Sequence, residues 1–268
     1  MTIALIAGNG MFPISFIKEA KRKNLDLVII AHKTESLKEI EDFGYKTYWV
    51  KPGKLGKIFN ILKKEKPNEL VFVGGIKKQK MLKGSVFDKK SISVLLKSKS
   101  NGDDSILKTI ILEVESLGIT VKAVNDFVDN LTFGSGYLTN NTFSDKELET
   151  VEYGFRTAKK LGDLDIAQAC SVYNKVTLLV EGVDGTDKLI ERTLEIANLQ
   201  KINPILIKVS KPLQDLRVDM PAIGVNTINN LIASNFKGLV IEADKTIIHD
   251  IEMVINTANN ANLIILSK

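Results

Sequence analysis

Short apolar runs alternate with amphipathic stretches through the first half of the chain, and this alternation restricts the fold more than any other feature of the sequence. The first apolar run, Ile3 to Ala7, ends in Gly8-Asn9-Gly10. Apolar residues then recur at helical spacing after Pro13, a residue that the first turn of a helix tolerates. The same reasoning predicts further strands at 25–31, 47–50, 70–75 and 119–124. It predicts further helices at 55–66 and from residue 103 onwards. Strands that alternate with helices form a parallel sheet, so we predict a Rossmann-like, doubly wound α/β domain.

The periodicity lapses near the middle of the chain. Residues 132–143 are rich in Gly, Ser, Thr and Asn, which is typical of a linker. We therefore predict a nucleotide- or phosphate-binding domain at 1–131 and a second α/β domain at 144–268. Two strands of the second domain are close enough to form a hairpin around Asn174, so we expect a mixed sheet there.

The composition excludes several classes of protein. The chain has 268 residues, of which 44% are hydrophobic and 26% charged, so it is long enough to bury a real core. No uncharged apolar run approaches the roughly 20 residues of a membrane span, and no secretory leader is recognisable, so we expect a cytoplasmic protein. The single cysteine, Cys170, excludes an intramolecular disulfide and a zinc-thiolate cluster.

Basic residues concentrate between Lys77 and Lys99, where eight lysines are opposed by a single acid, Asp88. Such a run attracts phosphates, nucleic acid or an anionic membrane surface, and it is equally typical of a solvated loop. It leaves open a protein of another class, one that binds nucleic acid without catalysis. The low aromatic content, 6%, gives no stacking pattern for single-stranded nucleic acid.

The glycine turn at residues 8–10 can bring backbone N–H groups against a phosphate. A dinucleotide fold usually adds a third glycine and an acid after the second strand. Here Pro13 and Ala31-His32-Lys33 occupy those places, which argues against NAD, whereas Lys33 leaves an NADP-linked reductase open. A nucleotide or sugar nucleotide without nicotinamide fits the turn better, and the alternative is a turn that only reverses the chain.

Two polar loops of the second half directly follow predicted strands. One runs from Glu181 to Asp187 and the other from Lys208 to Gly224. Open α/β sheets bind their ligands at the carboxyl ends of strands, so both loops are candidate sites.

The second of these loops carries Asp215, Arg217 and Asp219 at alternate positions, so an extended backbone would present all three on one face. Carboxylates that hold a metal or orient water, beside a guanidinium that neutralises phosphate charge, indicate phosphoryl chemistry. Because the chain offers oxygen ligands and no histidine or thiol cluster, we expect Mg²⁺ or Mn²⁺ as the cofactor. The alternative is a ladder of surface salt bridges.

Several segments, in order along the chain, resemble the LpxI family of UDP-2,3-diacylglucosamine pyrophosphatases; they are IALIAGNGMFP, VKPGKLGKI, NGDDSIL, LDIAQACSV, VEGVDGTDKLIERT and KVSKPLQDLRVDMPAIGVNTI. The resemblance spans Ile3 to about Leu266. It implies a Mg²⁺-dependent enzyme of lipid A biosynthesis that yields lipid X and UMP by water attack on the α-phosphorus. It also implies two domains that clasp the substrate, with the acylated sugar in the second.

The residues and the resemblance together give the candidate site. The candidate catalytic residues are Asp219, Asp215, Arg217, Lys208 and Lys211. The candidate metal ligands are Asp184, Asp187, Asp215 and Asp219. The candidate substrate- or nucleotide-binding residues are Gly8, Asn9, Gly10, Gly74, Gly75, Gln168 and Thr186.

The expected partners follow from the same resemblance. They are the UDP-linked diacylated glucosamine, the anionic cytoplasmic face of the inner membrane, where the protein would bind peripherally, and a second copy of the chain in a homodimer. No nucleic-acid partner is expected under this interpretation.

Overall fold

The structure, a computed structural model, describes residues 1–75, 87–98, 103–212 and 214–268. These residues form two units. The first comprises Met1–Asp129 together with the short segment Asp215–Asp219, and the second comprises Asn130–Gln214 and Met220–Lys268.

A parallel sheet forms the centre of the first unit. Its strands are β1 Thr2–Ala7, β2 Asp26–His32, β3 Lys46–Val50, β4 Glu69–Val73 and β5 Thr120–Lys122. They lie in the order β3-β2-β1-β4-β5, with every neighbouring pair parallel, so the predicted doubly wound parallel sheet is confirmed. The helices of this unit are α1 Phe12–Arg22, α2 Leu55–Glu65, α3 Lys89–Lys97 and α4 Asp103–Glu115, with 3-10 turns at Lys38–Phe43 and Val124–Asp126.

The apolar patterns explain these elements. All of β1 beyond its first residue is buried, as a central strand covered on both faces requires. Helix α1 begins with Pro13 in its first turn and buries one apolar stripe, with Phe16 and Ile17 among its members. One face of the sheet packs against α2 and α4, including Phe59 and Ile111.

The second unit contains a mixed sheet, as predicted. Its strands are β6 Gly136–Tyr137, β7 Ala169–Tyr173, β8 Val176–Val180, β9 Ile205–Lys208, β11 Gly238–Ile241 and β13 Ile264–Ser267, in the order β6-β13-β11-β9-β7-β8. Strands β9, β11 and β13 are parallel, whereas β6, β7 and β8 pair antiparallel. A separate parallel pair is formed by β10 Ala222–Ile223 and β12 Ile247–Ile248. The helices are α5 Asp145–Asp163, α6 Thr186–Gln200, α7 Val225–Ala233 and α8 Ile251–Asn260.

Local sequence signals account for the ends of these elements. The predicted hairpin turn at Asn174 has positive φ at Asn174 and Lys175, 46° and 63°, the conformation that joins two twisted strands most closely. Helix α5 begins with a capping box formed by Ser144 and Glu147.

The segment 132–143 differs from the linker expected from its composition. It lies within the second unit, where β6 pairs with β13 and both Leu138 and Phe143 are buried. The composition of the segment is mainly polar, so it did not indicate that Leu138 and Phe143 are buried.

Part of the lysine run Lys77–Lys99 lies outside the described residues, including Lys77, Lys78, Lys80, Lys83 and Lys99. Of the remainder, Lys90 and Lys97 both pair with Glu113, at 2.5 and 2.6 Å. Within the described part of the chain, no helix is both long and apolar enough to cross a membrane.

Candidate active site

The glycine turn of the first unit lies where β1 and β4 end side by side. The helices leave the sheet in opposite directions here, and doubly wound sheets bind ligands at this point. Gly8 N–H donates to the carbonyl of Val73, and Asn9 N–H donates to the carbonyl of Gly75, each at 2.8 Å. These two N–H groups are therefore not available to a phosphate, contrary to the sequence expectation for the turn.

Close backbone approach explains the glycines themselves. A Cβ atom at Gly8 would lie 2.4 Å from the carbonyl oxygen of Gly75, and one at Gly74 would lie 2.5 Å from that of Asn9. Gly10 is exposed, has φ +84° and has open space around it. A ligand role for Gly8, Asn9, Gly10, Gly74 and Gly75 stays a prediction.

The segment with Asp215, Arg217 and Asp219 forms a turn, so the extended conformation expected from the alternate spacing is wrong. The N–H groups of Val218 and Asp219 both donate to the carbonyl of Asp215, at 3.1 Å. The turn packs with the first unit through Val218, which joins the apolar cluster that also contains Phe59.

Arg217 lies between two carboxylates in this turn. Its Nε and Nη2 donate to Asp215 at 3.1 and 2.8 Å, and its Nη1 donates to Glu115 at 2.9 Å. These hydrogen bonds from Arg217 lower the pKa of the Asp215 carboxyl and raise that of the guanidinium. Asp215 is thus an ionised group already bound to a cation, which makes it a weak proton acceptor.

Strand register in the second unit brings several predicted residues to one edge of the mixed sheet. Ala169 pairs with Lys208, and Cys170 pairs with Val180. The start of β7, the end of β8 and the end of β9 therefore coincide, although they are far apart in sequence. Gln168 and Glu181 flank these strands and share this edge with Lys208.

A hydrogen-bonded chain connects the side chains at this edge. Lys208, only 6% exposed, donates from Nζ to Thr186 Oγ1 at 3.1 Å and to the carbonyl of Ala222 at 3.0 Å. Thr186 donates in turn to Glu181 Oε1 at 2.6 Å, and Glu181 Oε2 accepts from the backbone N–H of Gln168 at 3.3 Å. The structure therefore brings together three residues predicted from the sequence, Lys208, Thr186 and Gln168.

One atom of this cluster lacks a partner. Gln168 Oε1 is buried and accepts no hydrogen bond within the described residues. A buried acceptor without a donor is costly, and a ligand that donates an N–H or O–H group would remove that cost.

Asp184 lies in the turn that leads into α6, and Asp187 lies in the first turn of that helix. Asp184 Oδ1 is 3.4 Å from Arg192 Nη2, and the exposed Asp187 accepts from the side-chain amide of Asn230 at 3.1 Å. Neither carboxylate takes part in the hydrogen-bonded chain that contains Lys208, Thr186 and Glu181.

A second cluster of buried charge follows the ends of β9 and β11. Glu242 accepts from the backbone and side chain of Ser210, at 2.9 and 2.8 Å, and from the ammonium groups of Lys159 and Lys245, at 3.0 and 2.9 Å. Burial alone would raise the pKa of Glu242, but the hydrogen bonds from Lys245, Lys159 and Ser210 lower it. This network fixes the start of the loop after β9.

The predicted catalytic residue Lys211 is engaged elsewhere in the same loop. Its side chain is 8% exposed, and its Nζ donates to Asp165 Oδ1 at 2.6 Å. Asp165 follows α5, so Lys211 connects this helix to the loop.

The four predicted metal ligands are divided between the units. Asp215 and Asp219 belong to the first and Asp184 and Asp187 to the second. Among the described residues, no three or more carboxylate, imidazole or thiol groups are assembled around a common metal position. Mg²⁺ often binds through one or two carboxylates, substrate phosphates and water, so carboxylates that are not assembled into a cage still fit its preference for oxygen ligands.

The candidate residues chosen from the sequence include neither acid that organises these two clusters, although the polar loop from Glu181 to Asp187 was itself a candidate site. Glu242 was not among the candidate residues; β11 ends at Ile241, and Glu242 is the first residue beyond it. Glu181 is likewise the first residue beyond β8, which ends at Val180. An acid directly after a buried strand was the available signal.

The fold and these clusters define a class of protein: a two-unit α/β protein with a doubly wound parallel sheet in the first unit and buried polar groups at a strand edge of the second, where α/β sheets bind ligands. Comparison with known proteins gives the particular family. The family model described as the LpxI N-terminal domain matches residues 2–131, and the one described as the LpxI C-terminal domain matches residues 134–266. The chain belongs to the LpxI family.

A curated relative covers nearly all of the chain. It is the UDP-2,3-diacylglucosamine pyrophosphatase LpxI of Caulobacter vibrioides, which is 26% identical over an alignment of 271 positions that covers 98% of this chain and 96% of the relative. The chain is thus a hydrolase of the pyrophosphatase class that belongs to lipid A biosynthesis, as the resemblance implied. This assignment decides against a non-catalytic nucleic-acid-binding protein and against an NADP-linked reductase.

Proposed function

We propose that this protein hydrolyses the pyrophosphate of UDP-2,3-diacylglucosamine, releasing 2,3-diacylglucosamine 1-phosphate (lipid X) and UMP. The observation that carries the proposal is the match of both family domains, in order, over almost the whole chain. The name of the Caulobacter relative supplies the substrate.

Lys208 and Gln168 fit the needs of this substrate. A buried ammonium group at the carboxyl end of a strand stabilises negative charge on phosphate oxygens more strongly than one in water. Gln168 Oε1, which has no hydrogen-bond partner among the residues that the structure describes, can accept from the amide N–H or a hydroxyl of an acylated glucosamine. Thr186, which already receives a hydrogen bond from Lys208, keeps that ammonium oriented.

Asp219 is the better candidate for the group that orients or deprotonates the attacking water. Two nitrogens of Arg217 donate hydrogen bonds to Asp215 and lower the pKa of its carboxyl group. The Asp215 carboxylate is therefore a weak base. Asp219 is held by the same turn through its backbone N–H. Water attack at the α-phosphorus would then leave the water oxygen in UMP.

We further propose that hydrolysis requires Mg²⁺ or Mn²⁺, with Asp184, Asp187, Asp215 and Asp219 as the candidate ligands. When bound, the ion neutralises phosphate charge. Thorough chelation should abolish turnover and added Mg²⁺ should restore it; full turnover after chelation would contradict this proposal.

The reaction itself is tested with purified protein and UDP-2,3-diacylglucosamine in water enriched in ¹⁸O. We expect UMP and lipid X in equal amounts, with the label in UMP. Label in the lipid phosphate would overturn the α-phosphorus assignment, and no UMP at all would overturn the proposed reaction. UDP-glucose, which lacks the acyl chains, serves as the control substrate.

The role of Lys208 is tested with Lys208→Met, compared with Lys160→Met, which removes an exposed lysine from α5. We expect the first change to lower kcat by about 10²-fold or more, as expected when a charge-stabilising donor is removed, and the second to leave it unchanged. Equal kcat values in the two variants would exclude Lys208 from catalysis.

A diacylated substrate resides in a membrane, so we propose peripheral binding to the anionic cytoplasmic face of the inner membrane through the lysine run Lys77–Lys99. Replacement of Lys77, Lys78, Lys80 and Lys83 by Gln should weaken binding to vesicles that contain anionic lipid, most strongly at low salt. Unchanged vesicle binding would leave the run as a solvated loop.

The expected homodimer is tested by sedimentation equilibrium, where a monomer mass would contradict it.

A further inference from the structure

A basic cavity opens in the first unit, apart from every residue assigned a role above. Its volume is about 270 Å³, and its lining consists of Lys33, Trp49, Lys51, Lys54, Lys57 and Asp88. The strand register explains why the lysines converge, since His32 pairs with Val50 and the next residue of each strand end is a lysine. The cavity therefore lies at the carboxyl edge of β2 and β3, where doubly wound sheets accept ligands.

The positive charge of this cavity is compensated only in part, because its lining has four ammonium groups and one carboxylate. Within the described ranges, none of its four lysines forms a salt bridge. The carboxylate of Asp88 accepts from the backbone N–H groups of Gly56 at 2.8 Å and of Ser91 at 2.9 Å, and its charge also attracts Lys54. Four ammonium groups held close together repel one another, and a multiply charged anion between them relieves that repulsion.

Trp49 adds a planar apolar surface to the cavity. Its indole N–H donates to Glu41 Oε1 at 2.5 Å, which restrains the ring. Restrained aromatic rings beside cations are suited to ligands that combine a charged group with a flat or apolar one.

The backbone that carries Lys33 is firmly held. Lys33 N–H donates to the carbonyl of Val50 at 2.8 Å, and Ser36 Oγ anchors the following loop to the carbonyl of Ala7 at 2.7 Å. Thr34, between them, has φ +73°, which is unfavourable for a β-branched residue and marks a loop held in one conformation by its surroundings.

We propose that Lys33, Lys51, Lys54 and Lys57, with Trp49, form a binding site for a phosphorylated ligand. The ammonium groups hold the phosphate oxygens, and the indole contacts the group attached to the phosphate. The volume admits one or two phosphate groups and a ring but not a diacylated sugar. A free nucleotide and a lipid headgroup both carry this chemistry.

The single tryptophan of the chain makes the test direct, because tryptophan fluorescence, excited selectively over that of tyrosine, comes from the cavity itself. The emission of Trp49 is measured during titration with inorganic pyrophosphate, with UMP, and with phosphatidylglycerol vesicles, at constant ionic strength. The variants are Lys54→Gln/Lys57→Gln and a matched control, Lys18→Gln/Lys63→Gln, which removes the same charge from exposed positions outside the cavity.

We expect at least one of these probes to shift the emission and its apparent Kd to rise about tenfold or more in Lys54→Gln/Lys57→Gln, since each lysine near phosphate contributes about fivefold. The control should stay within about twofold of the unaltered chain. A response to pyrophosphate or UMP identifies a soluble phosphorylated ligand, and a response to vesicles alone identifies a lipid headgroup. No response to any probe, or equal weakening in the control, would overturn the proposal. Because the readout is binding at Trp49, its result is independent of turnover.

Discussion

The contact between the ends of β1 and β4 predicts a ranking of four glycine substitutions. Gly8→Ala would place a methyl group 2.4 Å from the carbonyl oxygen of Gly75, far inside van der Waals contact, with backbone atoms that cannot move independently of the sheet. Gly74→Ala combines a 2.5 Å contact with a φ of +80°. Gly10→Ala has open space but a φ of +84°, and Gly75→Ala has open space without positive φ.

The free energies of unfolding follow from these differences. Overpacking costs about 1–3 kcal/mol, and left-handed φ costs about 1–2 kcal/mol in a residue with a Cβ. Gly8→Ala should therefore lose about 1–3 kcal/mol, Gly10→Ala about 1–2 kcal/mol, and Gly74→Ala the most, since it carries both costs. Gly75→Ala should be neutral or gain about 0.4–1 kcal/mol, because alanine restricts the unfolded chain.

Urea unfolding monitored by Trp49 fluorescence measures these changes in the first unit, which contains the only tryptophan. The linear extrapolation gives the free energy of unfolding for each variant. A Gly8→Ala protein that unfolds at the same urea concentration as Gly75→Ala would refute the packing argument. The Gly75→Ala protein also separates packing from ligand binding, because a loss of activity without a loss of stability would reveal a direct role for Gly75.

Four further residues give separate predictions: Asp219, Glu242, His32 and Cys170. Asp219→Asn should lower kcat by about 10²–10⁴-fold in a UMP-release assay while KM changes little, and near-normal kcat would locate the general base elsewhere. Glu242→Gln should destabilise the protein by roughly 2–3 kcal/mol at pH 7, because its ammonium and Ser210 partners lose their charged acceptor. The pKa of Glu242 is lowered in the folded protein, so its ionised form stabilises the fold. The difference in urea midpoint between the unaltered protein and Glu242→Gln should therefore shrink as pH falls below about 4.5. Burial lowers the pKa of His32 below 6.5, so the unfolded chain binds more protons, and the urea midpoint should fall as pH drops from about 6.5, less steeply in His32→Met. Burial raises the pKa of Cys170 to about 12, so iodoacetamide should label it at pH 8 only after unfolding.

The sequence by itself determined the kinds of elements and their order. Strands and helices of the first unit were predictable because β1 is a continuous apolar run and α1 repeats apolar residues at helical spacing after Pro13. These patterns are local, so each can be recognised without knowledge of its neighbours. The motif order along the chain also identified the family, which the two domain matches confirm.

The sequence could not provide the neighbours of each side chain. Gln168, Glu181 and Lys208 meet only because antiparallel register aligns the ends of three strands. The lysines of the basic cavity come from separate strand ends and a helix, and a pattern search along the chain favoured the denser run at Lys77–Lys99 instead.

Tertiary structure also decided the conformation of the segment at 215–219. The alternate charged residues predicted an extended segment, but the carbonyl of Asp215 accepts two backbone N–H groups. Val218 packs with the first unit although the flanking residues belong to the second. Hydrophobic periodicity specifies which residues are buried within one element. Which buried surface they meet depends on long-range packing and strand register, and these are properties of the whole folded chain.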